Sequence, residues 1–104
     1  ALFDTADLFI MPTLTRTALL LNMDLFDPFE MDGKHYDGIR THWYPWTMLF
    51  NMTGHPAITL PSGLGSDGLP IGIQLVTRYG SDDVLLKYAS VIEHALGCAP
   101  QPVL

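Results

Sequence analysis

The sequence is poor in cysteine and in basic residues. Its single cysteine, Cys98, cannot form an internal disulfide and lacks the Cys and His company of a zinc site. One free thiol predicts a reducing, cytoplasmic setting. The 104 residues include 5 Lys and Arg against 11 Asp and Glu, for a formal net charge of −6, and the cations are scattered along the chain. We therefore expect neither nucleic-acid binding nor attraction to an anionic membrane surface.

Long hydrophobic runs are missing as well. The longest uninterrupted aliphatic run, residues 18–21, is far shorter than the roughly 20 apolar residues that a bilayer crossing needs. The first residues have neither the basic start nor the apolar block of a secretory signal. What is present, 48% hydrophobic and 15% charged residues over 104 positions, is typical of about one globular domain.

The first half of the chain is predicted to hold a strand, a long loop and a helix. Residues 8–11 form a continuous apolar run, which predicts a strand buried on both faces in the middle of a parallel sheet. Residues 12–43 show no sustained period and predict a long irregular loop. Pro45 begins a helix predicted to reach Met52, since proline there gives up only an amide without an intrahelical partner. Nearly every face of this helix is apolar, which indicates a buried helix or one that faces both a core and an apolar pocket.

The second half predicts a β-hairpin and a last helix. Residues 57–61 and 68–77 read as its two strands, and Gly72 in the second marks the close approach of another backbone. Ser81 can cap a helix that ends at Gly97, because an apolar stripe recurs between them at helical spacing. These elements cannot cover one another while so long a loop holds its own shape. The chain is therefore predicted to be part of a larger α/β body.

The polar motifs do not assemble a self-contained active site. Residues 63–68 match G-x-G-x-x-G, but the chain then continues as a strand where a dinucleotide loop must open a helix, so we expect a hairpin turn and no cofactor. The acidic residues between Asp24 and Asp37 do not match a calcium loop, and the histidines lack metal-ligand spacing, so no metal site is expected. For His55 we expect a backbone hydrogen bond. No serine stands in a nucleophile elbow.

Several motifs in a fixed order resemble one known family. An apolar strand at residues 7–13 is followed by Asn-Met-Thr-Gly-His-Pro-Ala at residues 51–57 and by Asp-Gly-Leu-Pro-Ile-Gly-Ile-Gln-Leu at residues 67–75. Together with the last helix, this order resembles the closing segment of the amidase signature family. The clear resemblance covers the first strand and residues 46–96.

The resemblance implies an α/β/α sandwich around a large mixed sheet, with residues 1–104 as the C-terminal portion of the domain. It implies cleavage of carboxylic amides by a serine nucleophile, a second serine in a cis peptide and a lysine. The Gly/Ser-rich signature that carries this machinery is absent here, so no catalytic residue is expected in this chain, and the chain alone should be inactive. The implied partners are a small-molecule amide substrate and the rest of the amidase polypeptide, and a homo-oligomer stays open.

The resemblance assigns substrate binding to Tyr44 and Met48. These residues lie one helical turn apart, in the segment that lines part of the family's acyl pocket. The alternative is that both are core residues. We expect Asn51 to tie the helix end to the following turn. Two further functions stay open: an amidotransferase subunit of the same family, expected to have protein partners and to act on charged tRNA, and a stand-alone small α/β binding module without catalysis.

Overall fold

The structure, a computed structural model, describes residues 2–97, so that Cys98 and the tail after it lie outside the described part. The described residues form a three-stranded sheet in the order β1-β5-β4 and a separate two-stranded sheet of β2 and β3. The elements in chain order are β1 (Phe9–Pro12), β2 (Phe29–Met31), β3 (Lys34–Tyr36), α1 (Ile39–His42), α2 (Pro45–Thr53), β4 (Ala57–Leu64), β5 (Pro70–Val76) and α3 (Asp82–Leu96).

The predicted hairpin is confirmed by β4 and β5. They pair antiparallel with Ala57 opposite Val76, and further along the hairpin Pro61 lies opposite Gly72. The register shifts between Pro61 and Gly63, where β4 has a bulge. The tip closes through a hydrogen bond from the Gly68 amide to the Gly65 carbonyl at 2.9 Å. The glycine-rich stretch therefore forms a turn between strands, as predicted.

The position of β1 differs from the prediction. β1 pairs antiparallel with β5, with Phe9 opposite Val76, and it lies at an edge of the three-stranded sheet. Its side chains alternate between half-buried and exposed, and Ile10 is 55% exposed. A short apolar run predicts a strand, but it does not determine whether the strand pairs parallel or antiparallel, or how many strands adjoin it. The predicted parallel, doubly buried strand is therefore wrong for the described residues.

β5 is the centre of the fold because both of its faces are covered. On one face Leu75 packs with Leu60 of β4 and with Leu85 and Ala89 of α3. On the other face Val76 packs with Phe3 and with Phe50 of α2. Leu75 and Val76 are both fully buried. This layering of helices and a sheet confirms the α/β class.

Both predicted helices are present at their predicted positions, but some of their predicted contacts are not. α2 starts with Pro45 and ends at Gly54, whose left-handed φ of 71° allows its amide to donate to the Phe50 carbonyl. Phe50 is the buried residue of α2, while Met52 is 81% exposed, so the described structure does not bury this helix on every face. Ser81 precedes α3 without a side-chain cap, because its hydroxyl donates to the Arg78 carbonyl at 2.5 Å.

Residues 12–43 are not irregular throughout. They contain the hairpin of β2 and β3, which turns through Asp32 and Gly33 at φ values of 52° and 71°, and the single helical turn of α1. Strands of three residues are too short to give a measurable alternation of apolar and polar positions, so the sequence shows no period here.

No helix within residues 2–97 has both the length and the apolar character needed to cross a membrane.

Candidate functional site

Tyr44 and Met48 border one hollow of about 500 Å³, which we call the α2 hollow. Its apolar wall includes Leu14 and Leu25, and Arg40 is the basic residue at its border. Among the described residues around it none is acidic. The complete lining is Thr13, Leu14, Leu25, Arg40, Tyr44, Thr47, Met48 and Asn51. The structure thus brings the two predicted residues together, and it leaves their role in binding substrate as a prediction.

Helical periodicity explains one wall of the hollow. Tyr44 is the N-cap residue of α2, and its carbonyl accepts a hydrogen bond from the Met48 amide at 3.2 Å. Tyr44, Met48 and Asn51 are spaced by four and three residues, which places them on one side of the helix. Asn51 also borders a second hollow with Gly54 and His55. The predicted role of Asn51 in tying the helix end to the turn stays a prediction.

The opposite wall is the chain that follows β1. Thr13 and Leu14 come directly after Pro12, and the Thr13 amide continues the strand ladder by donating to the Gly72 carbonyl at 3.1 Å. Arg40, at the rim, is held near Leu25 by a backbone hydrogen bond of 3.0 Å from its amide to the Leu25 carbonyl. These contacts join positions far apart in the sequence, so helical spacing alone could not reveal this wall.

Hydrogen bonds connect the two walls. The Thr47 hydroxyl donates to the Thr13 carbonyl at 2.8 Å. The Thr15 hydroxyl donates to the His42 carbonyl at 2.6 Å, and the Thr15 amide donates to the Trp43 carbonyl at 3.0 Å. In return the Trp43 indole donates to the Arg16 carbonyl at 3.2 Å. The segment after β1 and the entry into α2 are therefore held against each other.

A larger apolar groove of about 620 Å³, the β5 groove, shares the lining residues Thr13 and Leu14 with the α2 hollow. Ile71, Ile73 and Trp43 contribute to its wall, and Ser62 borders it. The Ser62 hydroxyl donates to the Ile71 carbonyl at 3.3 Å, and no histidine or lysine of the described chain lines the groove. Within residues 2–97 the groove therefore holds no base that could activate Ser62 as a nucleophile.

The hairpin tip is fixed by Asp67. Its carboxylate accepts hydrogen bonds from the Thr17 hydroxyl and from the Leu69 amide, the second at 3.0 Å. These two bonds, aided by the charge of Arg16, hold the pKa of the exposed Asp67 carboxyl below its ordinary value of 3.8. The carboxylate therefore ties the tip to the chain beyond β1, which is a structural role.

The contacts of His55 differ from the prediction. Its Nδ1 lies 2.9 Å from the Thr53 hydroxyl oxygen, and its ring stacks on Phe3 with centroids 5.5 Å apart. Phe50 meets the same ring edge-on. The expected backbone hydrogen bond is thus replaced by a side-chain partner and by aromatic packing. Within residues 2–97 no group of three or more His, Cys, Asp and Glu side chains is arranged to hold a metal ion.

Comparison with known proteins identifies the family. The sequence profile described as Amidase matches residues 1–86. The chain belongs to the amidase family. It is 42% identical over 93 residues to a 6-aminohexanoate-cyclic-dimer hydrolase of Pseudomonas sp. (strain NK87), covering 86% of this chain and 19% of that protein. It is also 33% identical over 102 residues to a glutamyl-tRNA(Gln) amidotransferase subunit of an Exiguobacterium species, covering 98% of this chain and 19% of that protein.

The amidase match extends to three dimensions. A solved structure of 6-aminohexanoate cyclic dimer hydrolase superposes on this chain with a TM-score of 0.63 at 36% sequence identity. The superposition covers 88% of this chain and 20% of the solved chain. The chain thus spans about a fifth of the length of the amidases that it matches, and it is a partial amidase segment. The resemblance inferred from the motifs is confirmed.

Proposed function

We propose that this chain is the C-terminal portion of an amidase-type hydrolase, which cleaves carboxylic amide bonds with a serine nucleophile that lies elsewhere in the polypeptide. The observation that carries the proposal is the α2 hollow, in which Tyr44 and Met48 converge beside Leu14 and Leu25. Membership of the amidase family and the 42% identity to a hydrolase of a cyclic amide support it.

In this proposal the chain supplies a wall for the acyl group and none of the reacting atoms. The apolar side chains of Leu14, Leu25 and Met48 remove water from the acyl group of the amide, which favours binding in proportion to the apolar area covered. Tyr44 stands at the entry of α2 and limits the shape of the acyl group. The serine pair and the lysine that the resemblance implies act from the remaining polypeptide.

The proposed partners are a small-molecule amide and the remaining amidase polypeptide, in a cytoplasmic setting. The amidotransferase subunit is the second candidate, because a relative of that name aligns with 98% of this chain. We place the hydrolase first because it is 42% identical over 93 residues, whereas amidotransferase subunits are 46% identical over only 55 residues or 33% identical over 102. A stand-alone binding module is the weakest candidate, since the match covers at most 19% of each of these relatives.

The test is Met48→Ala in the complete polypeptide that contains this segment. If Met48 contacts the acyl group, the ratio of kcat/KM for bulky over short acyl amides should rise, because each pocket methylene contributes about 1–3 kcal/mol of discrimination. A core methionine would instead lose roughly 2–5 kcal/mol of stability and lower the activity on every substrate alike. The measurement is kcat/KM for both substrates together with the melting temperature.

Met52→Ala is the matched control. Met52 lies one turn further along α2, is 81% exposed in the described structure and does not border the hollow. Its truncation should leave the substrate ratio at the wild-type value. An unchanged ratio in Met48→Ala, accompanied by a lower melting temperature, would show that Met48 is a core residue and that the pocket assignment is wrong.

A further inference from the structure

We infer that Thr47 is a positioning residue, whose hydroxyl sets the width of the α2 hollow and thereby the size of acyl group that fits. The inference rests on the proposed function of the hollow. In this inference Thr47 affects substrate choice indirectly, because it holds Tyr44 and Met48 in place.

The hollow is a gap between two separate pieces of chain. One side is formed by Thr13 and Leu14, and the other by Tyr44 and Met48 of α2. The Thr47 hydroxyl spans this gap and donates to the Thr13 carbonyl at 2.8 Å in a partly buried position. Leu14 and Met48 each follow one of the bonded residues in the sequence, so this bond fixes the separation of their backbones.

The other hydrogen bonds between the two walls hold the chain before α2. The Thr15 hydroxyl and amide bond the carbonyls of His42 and Trp43, and the Trp43 indole bonds the Arg16 carbonyl. All of these contacts lie at or before residue 43. They form a fixed pivot at the entry of the helix.

Beyond that pivot the second half of α2 is held by Phe50, which is buried against Phe3 and Val76, and the first half is held by two side-chain hydrogen bonds. One is the Thr47 bond, and the other runs from the Gln74 amide nitrogen to the Trp46 carbonyl at 3.5 Å, near the upper limit for a hydrogen bond. The shorter Thr47 bond is therefore the stronger restraint on the distance between the first half of α2 and Leu14. Its loss should let this half of the helix move away from Leu14, while Phe50 keeps the second half in the core.

Replacing Thr47 by valine removes the donor and keeps the shape. The Thr13 carbonyl then loses its hydroxyl donor, and a partly buried acceptor without a partner is unfavourable unless water reaches it. The valine methyl group that takes the place of the hydroxyl cannot stay 2.8 Å from the carbonyl oxygen, so this part of α2 should move away from Thr13 and Leu14. The hollow should therefore widen, so that a short acyl group fits loosely while a bulky one is accepted more readily.

The experiment compares three variants of the complete polypeptide, using one short and one bulky acyl amide. For Thr47→Val we expect the ratio of kcat/KM for bulky over short amide to rise about tenfold, within the range that pocket contacts control. The change should arise mainly from a higher KM for the short amide, because the reacting groups lie elsewhere. Thr47→Ser keeps the hydroxyl and should keep the wild-type ratio.

Thr41→Val is the control for removing a threonine hydroxyl. Thr41 lies on α1, its hydroxyl contacts the Gly38 carbonyl at 3.4 Å at an exposed position, and it does not border the hollow. This variant should keep the wild-type ratio. If Thr47→Val does not fold, Thr47→Ala removes the same hydroxyl without placing a methyl group in the contact, and its substrate ratio decides instead.

The outcomes separate this inference from the function on which it rests. A wild-type ratio in Thr47→Val, together with a changed ratio in Met48→Ala, overturns the positioning role and leaves the acyl hollow standing. Wild-type ratios in both variants overturn both. An equal change in Thr47→Ser and Thr47→Val also overturns the positioning role, because the hydroxyl would then not be the group that matters.

Discussion

Gly72 shows how tightly β5 is enclosed. A Cβ atom built at this position would lie 2.9 Å from the Thr59 Cγ2 atom and 3.1 Å from the Thr13 hydroxyl oxygen, whereas the nearest backbone atom, the Leu60 carbonyl oxygen, is 3.5 Å away. The two threonine hydroxyls are hydrogen-bonded to each other at 3.3 Å. The sequence predicted the close approach of another backbone, whereas the closest neighbours are two side chains, Thr59 of β4 and Thr13 directly after β1.

We predict that Gly72→Ala destabilises the complete polypeptide by about 1–3 kcal/mol, the usual range for overpacking. The added methyl group meets Thr59 Cγ2 and the hydroxyl pair beside it. Thr59→Ser removes Cγ2 and keeps the hydroxyl. We therefore expect Gly72→Ala to cost less stability in the Thr59→Ser background than in the wild-type background. Melting temperatures of the four proteins provide the measurement. Equal losses in both backgrounds would show that Thr59 is not the obstacle.

At the scale of single elements, α3 is attached to the sheet by a narrow apolar stripe. Leu85 is 4% exposed and Ala89 is 5% exposed, and both pack against Leu60 and Leu75 of the hairpin. On its outer side Lys87 and Asp83 approach to 3.9 Å with most of both side chains in solvent. The stability that α3 contributes should therefore come from its inner stripe.

We predict that Leu85→Ala lowers the free energy of unfolding by about 2–5 kcal/mol, because it leaves a cavity between α3 and the hairpin. Lys87→Ala is the control and should change the free energy of unfolding by less than about 1 kcal/mol, as expected for an exposed ion pair. Denaturant unfolding of the complete polypeptide measures both. A loss in Leu85→Ala no larger than in Lys87→Ala would contradict the role of the stripe.

Local signals predicted the elements well. Pro45 begins α2, Gly54 follows its last residue, and Gly97 follows the last residue of α3. Helix ends can be predicted in this way because the backbone conformation and hydrogen bonds at a helix end depend on nearby residues. The spacing of Tyr44 and Met48 placed them on one side of α2 for the same reason. Such features depend on a few consecutive residues and can be read from the chain.

Features that depend on distant partners could not be predicted. The antiparallel pairing of β1 is decided by β5, and the packing of His55 by Phe3 near the start of the chain. The wall opposite Met48 is likewise formed by Leu14 and Leu25, which belong to the segment where the sequence shows no period. Long-range contacts select these arrangements, and no local propensity encodes them.

At the scale of the whole molecule, much apolar surface is in contact with solvent. Large apolar side chains that are at least 45% exposed occur on β1, α2, β4, α3 and the segments outside these elements, namely Leu2, Ile10, Leu20, Leu21, Leu25, Phe26, Trp46, Leu49, Met52, Leu64, Tyr79, Leu86, Val91 and Leu96. The β5 groove adds a further apolar concavity. Surface of this kind is typical of a segment that packs against further polypeptide.

We predict that the isolated 104-residue chain self-associates or unfolds in part, because each Å² of apolar surface left in water costs about 25 cal/mol. Sedimentation velocity should show concentration-dependent association, and thermal melting should be broad. Raising the salt concentration serves as a check, since it strengthens apolar association while screening the net charge of −6. A monodisperse monomer with a sharp, cooperative melt would favour the stand-alone module.

The β4–β5 hairpin also determines at which edge the sheet can pair with a further strand. The Gly72 carbonyl bonds the Thr13 amide on the β1 side, so Gly72 and the opposing Pro61 form a pair without mutual hydrogen bonds. The nitrogen of Pro61 therefore faces away from β5, and it has no hydrogen to donate. The bulge directly after Pro61 interrupts the same outer edge again. A further strand would find no continuous row of donors along β4, so we expect the amidase sheet to extend past β1 and to terminate at β4.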